Sequence, residues 1–181
     1  MTTLRTARLV LDPHRADDVE RLNGWENDVE LVAMMSDEIR PWSLDDTRRE
    51  IERWMTPKDT DARFAVRIPD SGEYVGFVHL GEIERAQGRC KLGYLIGEKS
   101  MWSRGYATEA VRAVVAHAFG PLGLRRIAAG AFATNPASIR VLEKIGFRRE
   151  GVLRANVRHG DALIDEILFG LLSSDPPPER G

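Results

Sequence analysis

One cysteine in 181 residues leaves little room for sulfur chemistry. Cys90 by itself excludes an intrachain disulfide framework and a multi-cysteine metal site. It falls in a predicted strand, where a small core hydrophobe is expected over a nucleophile. Long apolar runs are missing too, and a bilayer-spanning helix needs roughly 20 such residues. The N-terminal Met-Thr-Thr-Leu-Arg-Thr-Ala-Arg lacks the hydrophobic segment of a signal peptide, so cytoplasmic residence is expected, with no membrane partner. Neither charge sign dominates. A net charge of −2 supplies no basic field for DNA. His14, His79, His117 and His159 are far apart, none joined to a second His or Cys at ligand spacing, so no metal site is expected. HExxH, GxxxxGK[ST] and GxSxG are all absent.

What remains is an ordinary globular composition, 43% hydrophobic and 30% charged, in a chain long enough for one domain. Residues 1–172 are expected to form that domain. Residues 173–181, with three consecutive prolines, are expected to form a mobile tail. Leu9-Val10-Leu11 reads as a strand. Helices follow around Val19, Leu22 and Trp25, around Leu31 to Met35, and from Ser43 or Asp45 to Met55 before Pro57. Residues 63–67, 74–80 and 90–96 read as strands with short turns between them, an antiparallel meander. Residues 26–61 hold eleven acids against five Lys or Arg, which reads as a wall for a cationic substrate or as a solvated helix face. Residues 121–160 hold eight Lys or Arg against two Glu, a bias suited to a phosphate or RNA surface or, again, to plain solvation.

Met101 to Ala110 organises the chain. A strand runs into it, and Ala107, Ala110, Val111, Val114, Val115 and Ala118 recur at helical spacing beyond it. The loop therefore sits at a helix N-terminus, where unpaired N–H groups and the dipole favour an anion. Gly105 allows close backbone approach, and Arg104 adds positive charge. A pyrophosphate cradle and an ordinary strand–loop–helix junction both fit. Residues 127–133 read as a strand, followed by a helix with Asn135 as N-cap, Pro136 at its first position, and a stop at Gly146. Two strands, 150–158 and 163–171, close the domain around His159-Gly160-Asp161.

This order, with two motifs, resembles the GNAT superfamily of acyl-CoA-dependent N-acyltransferases, and more nearly its RimJ/RimL-type branch. WSRGYATEA, Trp102 to Ala110, is similar to the family's Q/R-x-x-G-x-G/A loop, with Trp102 at the branch's Trp position. NPASIRVLEKIGF, Asn135 to Phe147, is similar to the branch's N-x-x-S-x-x-V-L-E-K-x-G-F helix. Thr6-Ala7-Arg8-Leu9, Leu92-Gly93-Tyr94 and Glu150-Gly151 support the match, which reaches about Leu172. The resemblance implies an α+β, three-layer fold. Its mixed, mostly antiparallel sheet would have about seven strands flanked by helices, splayed between the strands ending near Ile96 and Ala133. It implies acetyl-CoA as co-substrate, with the amides of Ser103, Arg104, Gly105, Tyr106, Ala107 and Thr108 on the pyrophosphate. Leu95 and Ile96 would pair with pantetheine, and Asn135 would touch it, cap its own helix, or both. A backbone N–H near Ile96 would polarise the thioester carbonyl.

The implied reaction is direct attack of a primary amine on the thioester. The acceptor is either a protein N-terminal amine or a small amine, and the active form is a possible homodimer. An alkyl ammonium, pKa about 10.4, must first lose a proton. Leu142 stands where many GNAT proteins have a proton-donating Tyr; the branch's Ser falls at Ser138, which takes that role here or merely caps its helix. The base is unassigned by the motifs: residues 155–158 hold no carboxylate. Glu82 is the first candidate, with Glu84, Asp37 and Glu38 behind it, and His159 is a candidate for substrate contact. Deprotonation by solvent, with catalysis by positioning, is the alternative. Two other classes stay open: a non-catalytic acyl-CoA sensor, and a nucleotide-binding enzyme of another fold using the same helix N-terminus.

Overall fold

The structure, a computed structural model, describes residues 2–35 and 40–176. Its strands are β1 (Leu4–Arg5), β2 (Val10–Asp12), β3 (Ala62–Arg67), β4 (Tyr74–Glu84), β5 (Arg89–Ile96), β6 (Arg126–Phe132), β7 (Arg148–His159) and β8 (Ala162–Leu172). They form one sheet in the order β1-β2-β3-β4-β5-β6-β8-β7. The helices are α1 (Val19–Glu26), α2 (Val29–Met35), α3 (Leu44–Met55), α4 (Tyr106–Phe119) and α5 (Pro136–Ile145). Every neighbouring strand pair is antiparallel except β5–β6. The expected mixed, mostly antiparallel sheet is present, and the two-residue β1 makes its strands eight rather than seven. Among the described residues, no helix is long and apolar enough to cross a membrane.

The helices divide between the two faces because their apolar stripes do. Val111, Val114, Val115 and Ala118 of α4, and Ile139, Leu142 and Ile145 of α5, pack with Val75, Leu92, Ile96 and Ile127 of the sheet. On the other face, Leu22 and Trp25 of α1, Leu31 of α2 and Ile51 of α3 pack on Ala65, Phe77 and Leu95. Strand alternation does the sorting: Cys90, Leu92, Tyr94 and Ile96 turn one way, and Leu95 the other. Cys90 is buried, and burial pushes its thiol up to about 11, so it stays a neutral core side chain.

One feature of the sheet positions the site. β5 and β6 pair in parallel from Arg89↔Arg126 to Leu92↔Ala129 and no further, although β5 runs on to Ile96 and β6 to Phe132. Past that register the two strands part. Helices start at both open ends: α4 after Gly105, and α5 after Asn135 and Pro136. The Asn135 side chain accepts the Ser138 N–H at 3.0 Å, and α5 stops at Gly146 with φ of 109°, as expected.

The expected tail boundary at 173 falls early. Ser173 donates its N–H to the Arg125 carbonyl at 3.0 Å, and the Asp175 carboxylate accepts the Leu172 N–H at 2.9 Å and reaches Arg148 at 3.3 Å. The chain is thus still tied to the sheet at residue 175.

A buried ionic knot fastens the first third of the chain. The Arg67 guanidinium donates from Nε to Asp12 at 2.8 Å and as a fork to Asp18 at 2.8 and 2.7 Å, and all three residues are buried. Arg15 adds a second bond to Asp12. Burial raises the Asp18 carboxyl, but the His14 imidazole at 3.7 Å and the Arg67 fork outweigh it and hold the pKa at about 2, below the ordinary 3.8. A depressed carboxyl stabilises the fold above its unfolded pKa, and that contribution is lost as pH falls from about 4 toward 2. Arg67→Met should cost about 3–5 kcal/mol at neutral pH, because it strands two buried carboxylates. Urea unfolding should show that gap from the wild type narrowing as pH falls from about 4 toward 2, where Asp18 becomes protonated in both.

Candidate active site

Where β5 and β6 part, a cavity of about 760 Å³ opens through the sheet. Tyr94, Ile96, Ala107 and Val141 line it on the α4–α5 side, and Leu31, Phe77 and Leu95 on the other. Gly93 and Gly130 lie one residue past the last β5–β6 pair, at the head of the split. A methyl on Gly93 would strike the His79 ring, and one on Gly130 would strike a Glu166 carboxylate oxygen. The two glycines therefore make room for an imidazole from β4 and a carboxylate from β8, one at each lip. Burial, then the nearby Arg63, lowers the His79 pKa to about 4, so the ring is neutral at pH 7. The Asn156 amide donates to Glu166 Oε2 at 2.8 Å, which steadies the carboxylate and leaves Oε1 toward Gly130.

At the far lip two hydroxyls meet. Tyr94 Oη lies 2.8 Å from Ser138 Oγ and 3.2 Å from the Ser138 carbonyl. Burial pushes the phenol up to about 12, against the Ser138 hydrogen bond that draws it down. Tyr94 therefore keeps its proton and acts as a donor at any ordinary pH. Beside them Asn135 uses both ends of its amide, the oxygen on the α5 cap and the nitrogen on the Met34 carbonyl at 3.2 Å.

The loop before α4 is bent by two left-handed residues, Ser103 at φ 60° and Gly105 at φ 81°. Glycine adopts that conformation freely, whereas Ser103 bears roughly 1–2 kcal/mol of strain. Glu109 is the first residue of the helix whose N–H meets the Gly105 carbonyl, at 3.0 Å. The amides of Tyr106, Ala107 and Thr108 are thus left at the positive end of α4, on the cavity wall. A pyrophosphate fits such a cradle. The Trp102 indole turns back to donate to the Ile96 carbonyl at 2.7 Å and packs on both core clusters, fixing the loop to the end of β5.

Most of the residues singled out from sequence come together here. Leu95, Ile96, Ser103, Gly105, Tyr106, Ala107, Thr108, Asn135 and Ser138 all line the cavity. Arg104 does not: it is exposed, and its carbonyl accepts from Arg8 at 3.0 Å. Glu82 does not either. It stands at a β4 irregularity with φ 50°, exposed and ion-paired to Lys91 at 2.9 Å, at the hairpin end where β5 and β6 are still joined. Glu84 pairs with Arg89. Asp37 and Glu38 lie outside the described residues. His159 stacks edge-on with Phe132, which lines the cavity, without lining it itself. Six of the acids of 26–61 are spent on neighbours: Glu26 on Thr47, Asp28 and Glu30 on Lys99, and Asp45, Asp46 and Glu50 on arginines one turn along α3. Of the basic run, Arg140 and Lys144 reach the cavity.

Glu166 and Tyr94 are the functional candidates that sequence reasoning missed. Glu166 had a signal, an acidic pair Asp165-Glu166 breaking an otherwise apolar strand. The motif points to a carboxylate on β7, whereas the hairpin partner β8 carries one on the cavity wall.

A family model for the acetyltransferase (GNAT) domain matches residues 8–148. The chain belongs to the GNAT acetyltransferase family. Among its relatives, the N-acetyltransferase p20 of Bacillus licheniformis is 29% identical over 97% of this chain and 98% of its own length. The [ribosomal protein uS5]-alanine N-acetyltransferase of Escherichia coli is 29% identical over 65% of this chain and 60% of its own. A GNAT-family acetyltransferase structure from Bacillus anthracis superposes with a TM-score of 0.82 at 25% identity, covering 94% of this chain and 98% of that one. This GNAT protein is an acetyl-CoA-dependent N-acetyltransferase.

Gly130→Ala tests the head of the split. The new methyl meets only the end of a flexible side chain, so Glu166 swings aside and the fold survives. Acetyl transfer should drop on the order of 10- to 100-fold, from displacement of one group. Calorimetry should find CoA affinity unchanged.

Proposed function

We propose that this enzyme acetylates the α-amine of a polypeptide N-terminus, taken up on the Glu166 side of the split. The observation that carries this is the Glu166 carboxylate at the head of the split, among the apolar side chains of Leu31, Met34, Phe77 and Phe132. An α-amine has a pKa of about 7.7–8.0, against about 10.4 for an alkyl amine. Near pH 7.5 a sizeable fraction is already neutral, and one hydrogen-bonded carboxylate suffices to take up the remaining proton. Among the described residues, Glu166 is the one acid lining the cavity, and the neutral His79 adds no charge. The likeness to the E. coli uS5-alanine enzyme points the same way.

The remaining roles follow from the geometry. The amides of Ser103 to Thr108 hold the CoA pyrophosphate, with Arg140 and Lys144 adding positive charge from α5. Leu95 and Ile96 offer the unpaired edge of β5 to pantetheine, and Asn135 keeps α5 aimed at the split. The acceptor nitrogen attacks the thioester carbon, the C–S bond breaks, and nitrogen gives up a proton toward Glu166 directly or through water. Ser138, backed by Tyr94, donates a hydrogen bond to the departing sulfur, which leaves as the thiolate and takes its proton from solvent.

Thiol release from acetyl-CoA tests the reading across peptides with free or blocked N-termini, a lysine side chain, and a polyamine. Turnover is expected with free N-termini only. Turnover confined to polyamines or lysine would move the acceptor class, and CoA binding without any turnover would make the protein a sensor. Ser138→Ala should lower kcat by about 100-fold and Tyr94→Phe by about 10-fold, with the acetyl-CoA KM little changed. The double variant should be no worse than Ser138→Ala, since the two hydroxyls act as one unit.

A further inference from the structure

The Thr6-Ala7-Arg8-Leu9 turn lies nearly a hundred residues before the α4 loop, yet Thr6 and Arg8 bond it to that loop and to the first turn of α4. Thr6 Oγ1 donates to Glu109 Oε1 at 2.6 Å, and the Arg8 N–H reaches the same oxygen at 2.9 Å. Arg8 Nε donates to Glu109 Oε2 at 2.7 Å, with Nη2 at 2.6 Å. Arg8 Nη1 donates to the Arg104 carbonyl at 3.0 Å, and the guanidinium lies 4.4 Å over the Tyr106 ring. The turn does not drift, because Thr6 and Leu9 hydrogen-bond each other and Leu9 is fully buried.

We propose that Arg8 is the positioning residue of the phosphate-binding loop, acting on CoA affinity without touching the reacting atoms. This rests on the reading that the loop binds the CoA pyrophosphate. Two physical effects support it. Ser103 and Gly105 are both left-handed, and the carbonyl between them, Arg104, is the one Arg8 holds, so the guanidinium pins the bend that turns the amides toward the cavity. Glu109 is also an acid in the first turn of α4, placed to repel an anion at that helix end. Arg8 compensates its charge, and Glu109 is held below the ordinary carboxylate pKa by Thr6 and Arg8 against the effect of burial. The pair is partly exposed, with 45% of the Arg8 side chain open, so it adds little to global stability.

The test is calorimetric titration of CoA into the wild type, Arg8→Met and Arg8→Lys, with the thermal midpoint of each protein alone. Arg8→Met should weaken CoA binding on the order of 10-fold, the midpoint staying near wild type. Arg8→Lys should recover part of the loss, because an ammonium can compensate Glu109 but cannot also fork to the Arg104 carbonyl. Unchanged CoA affinity in Arg8→Met would overturn the proposal. So would a fall in the midpoint that accounts for the weaker binding, or full recovery with lysine, which would reduce the effect to charge alone. A wild type that fails to bind CoA would instead overturn the reading of the loop itself.

Discussion

Backbone polar groups must be satisfied, and where β5 and β6 part, this sheet stops meeting that requirement between neighbours. Some of the groups released there find other partners. The Ile96 carbonyl takes the Trp102 indole, the Ala133 N–H donates to the Asp165 carbonyl at 2.8 Å, and the Asn135 N–H to the Phe132 carbonyl at 2.8 Å. What stays open is a pair of facing strand edges, which suits a ligand with amides of its own. The same parting frees both strands to feed a helix start, so the anion cradle at α4 and the hydroxyl pair at α5 depend on the same break in pairing. Two glycines stand beside the break: a Cβ at Gly93 would meet the His79 ring and one at Gly130 the Glu166 carboxylate, side chains from the strands still paired on the other edge.

Charge is distributed to leave the cavity simple. The acids of α3 sit one turn from arginines, pairs worth little to stability but enough to flatten the local field. His79 is kept neutral by burial, ahead of any charge nearby. Among the described lining residues, the formal charges are then Glu166 at the head of the split and Arg140 and Lys144 on α5. The cavity thus carries opposite formal charges in different parts, positive on α5 and negative at the head of the split.

Local chemistry made much of this legible in the sequence. Helical periodicity in residues 107–118, the Asn135-Pro136 cap and the Gly146 stop are decided within a few residues, and the structure places them as read. The strand meander was legible for the same reason. The base was not. Which carboxylate reaches the head of the split depends on the β6–β8 pairing, which sets Glu166 opposite Phe132 and its carboxylate against Gly130. Glu82 looked suitable by sequence distance along β4, but it lies at the closed end, where β5 and β6 still pair. Tyr94 reads only as part of a strand motif, because nothing local shows that β5 brings it against α5. Such contacts between elements distant in sequence are set by packing, and a single sequence carries little of that.

Tyr94 also resolves how a serine can stand where related enzymes use a phenol. Leu142 is fully buried in the α4–α5 core, so a hydroxyl there would need a partner in an apolar layer. One turn earlier Ser138 is half-buried and reaches the split, but alone it is a short, weakly directed donor. Hydrogen bonds between Tyr94 and Ser138 can run two ways. If Ser138 donates to the phenol, Tyr94 can donate to the Ser138 carbonyl at 3.2 Å, and the pair closes on itself with nothing left for the cavity. If Tyr94 donates to Ser138 Oγ, the serine proton is free and more acidic for the bond it receives. In the transfer proposed, negative charge gathering on the departing sulfur would select the second arrangement. The phenol, held at about 12, then serves to polarise Ser138 while keeping its own proton.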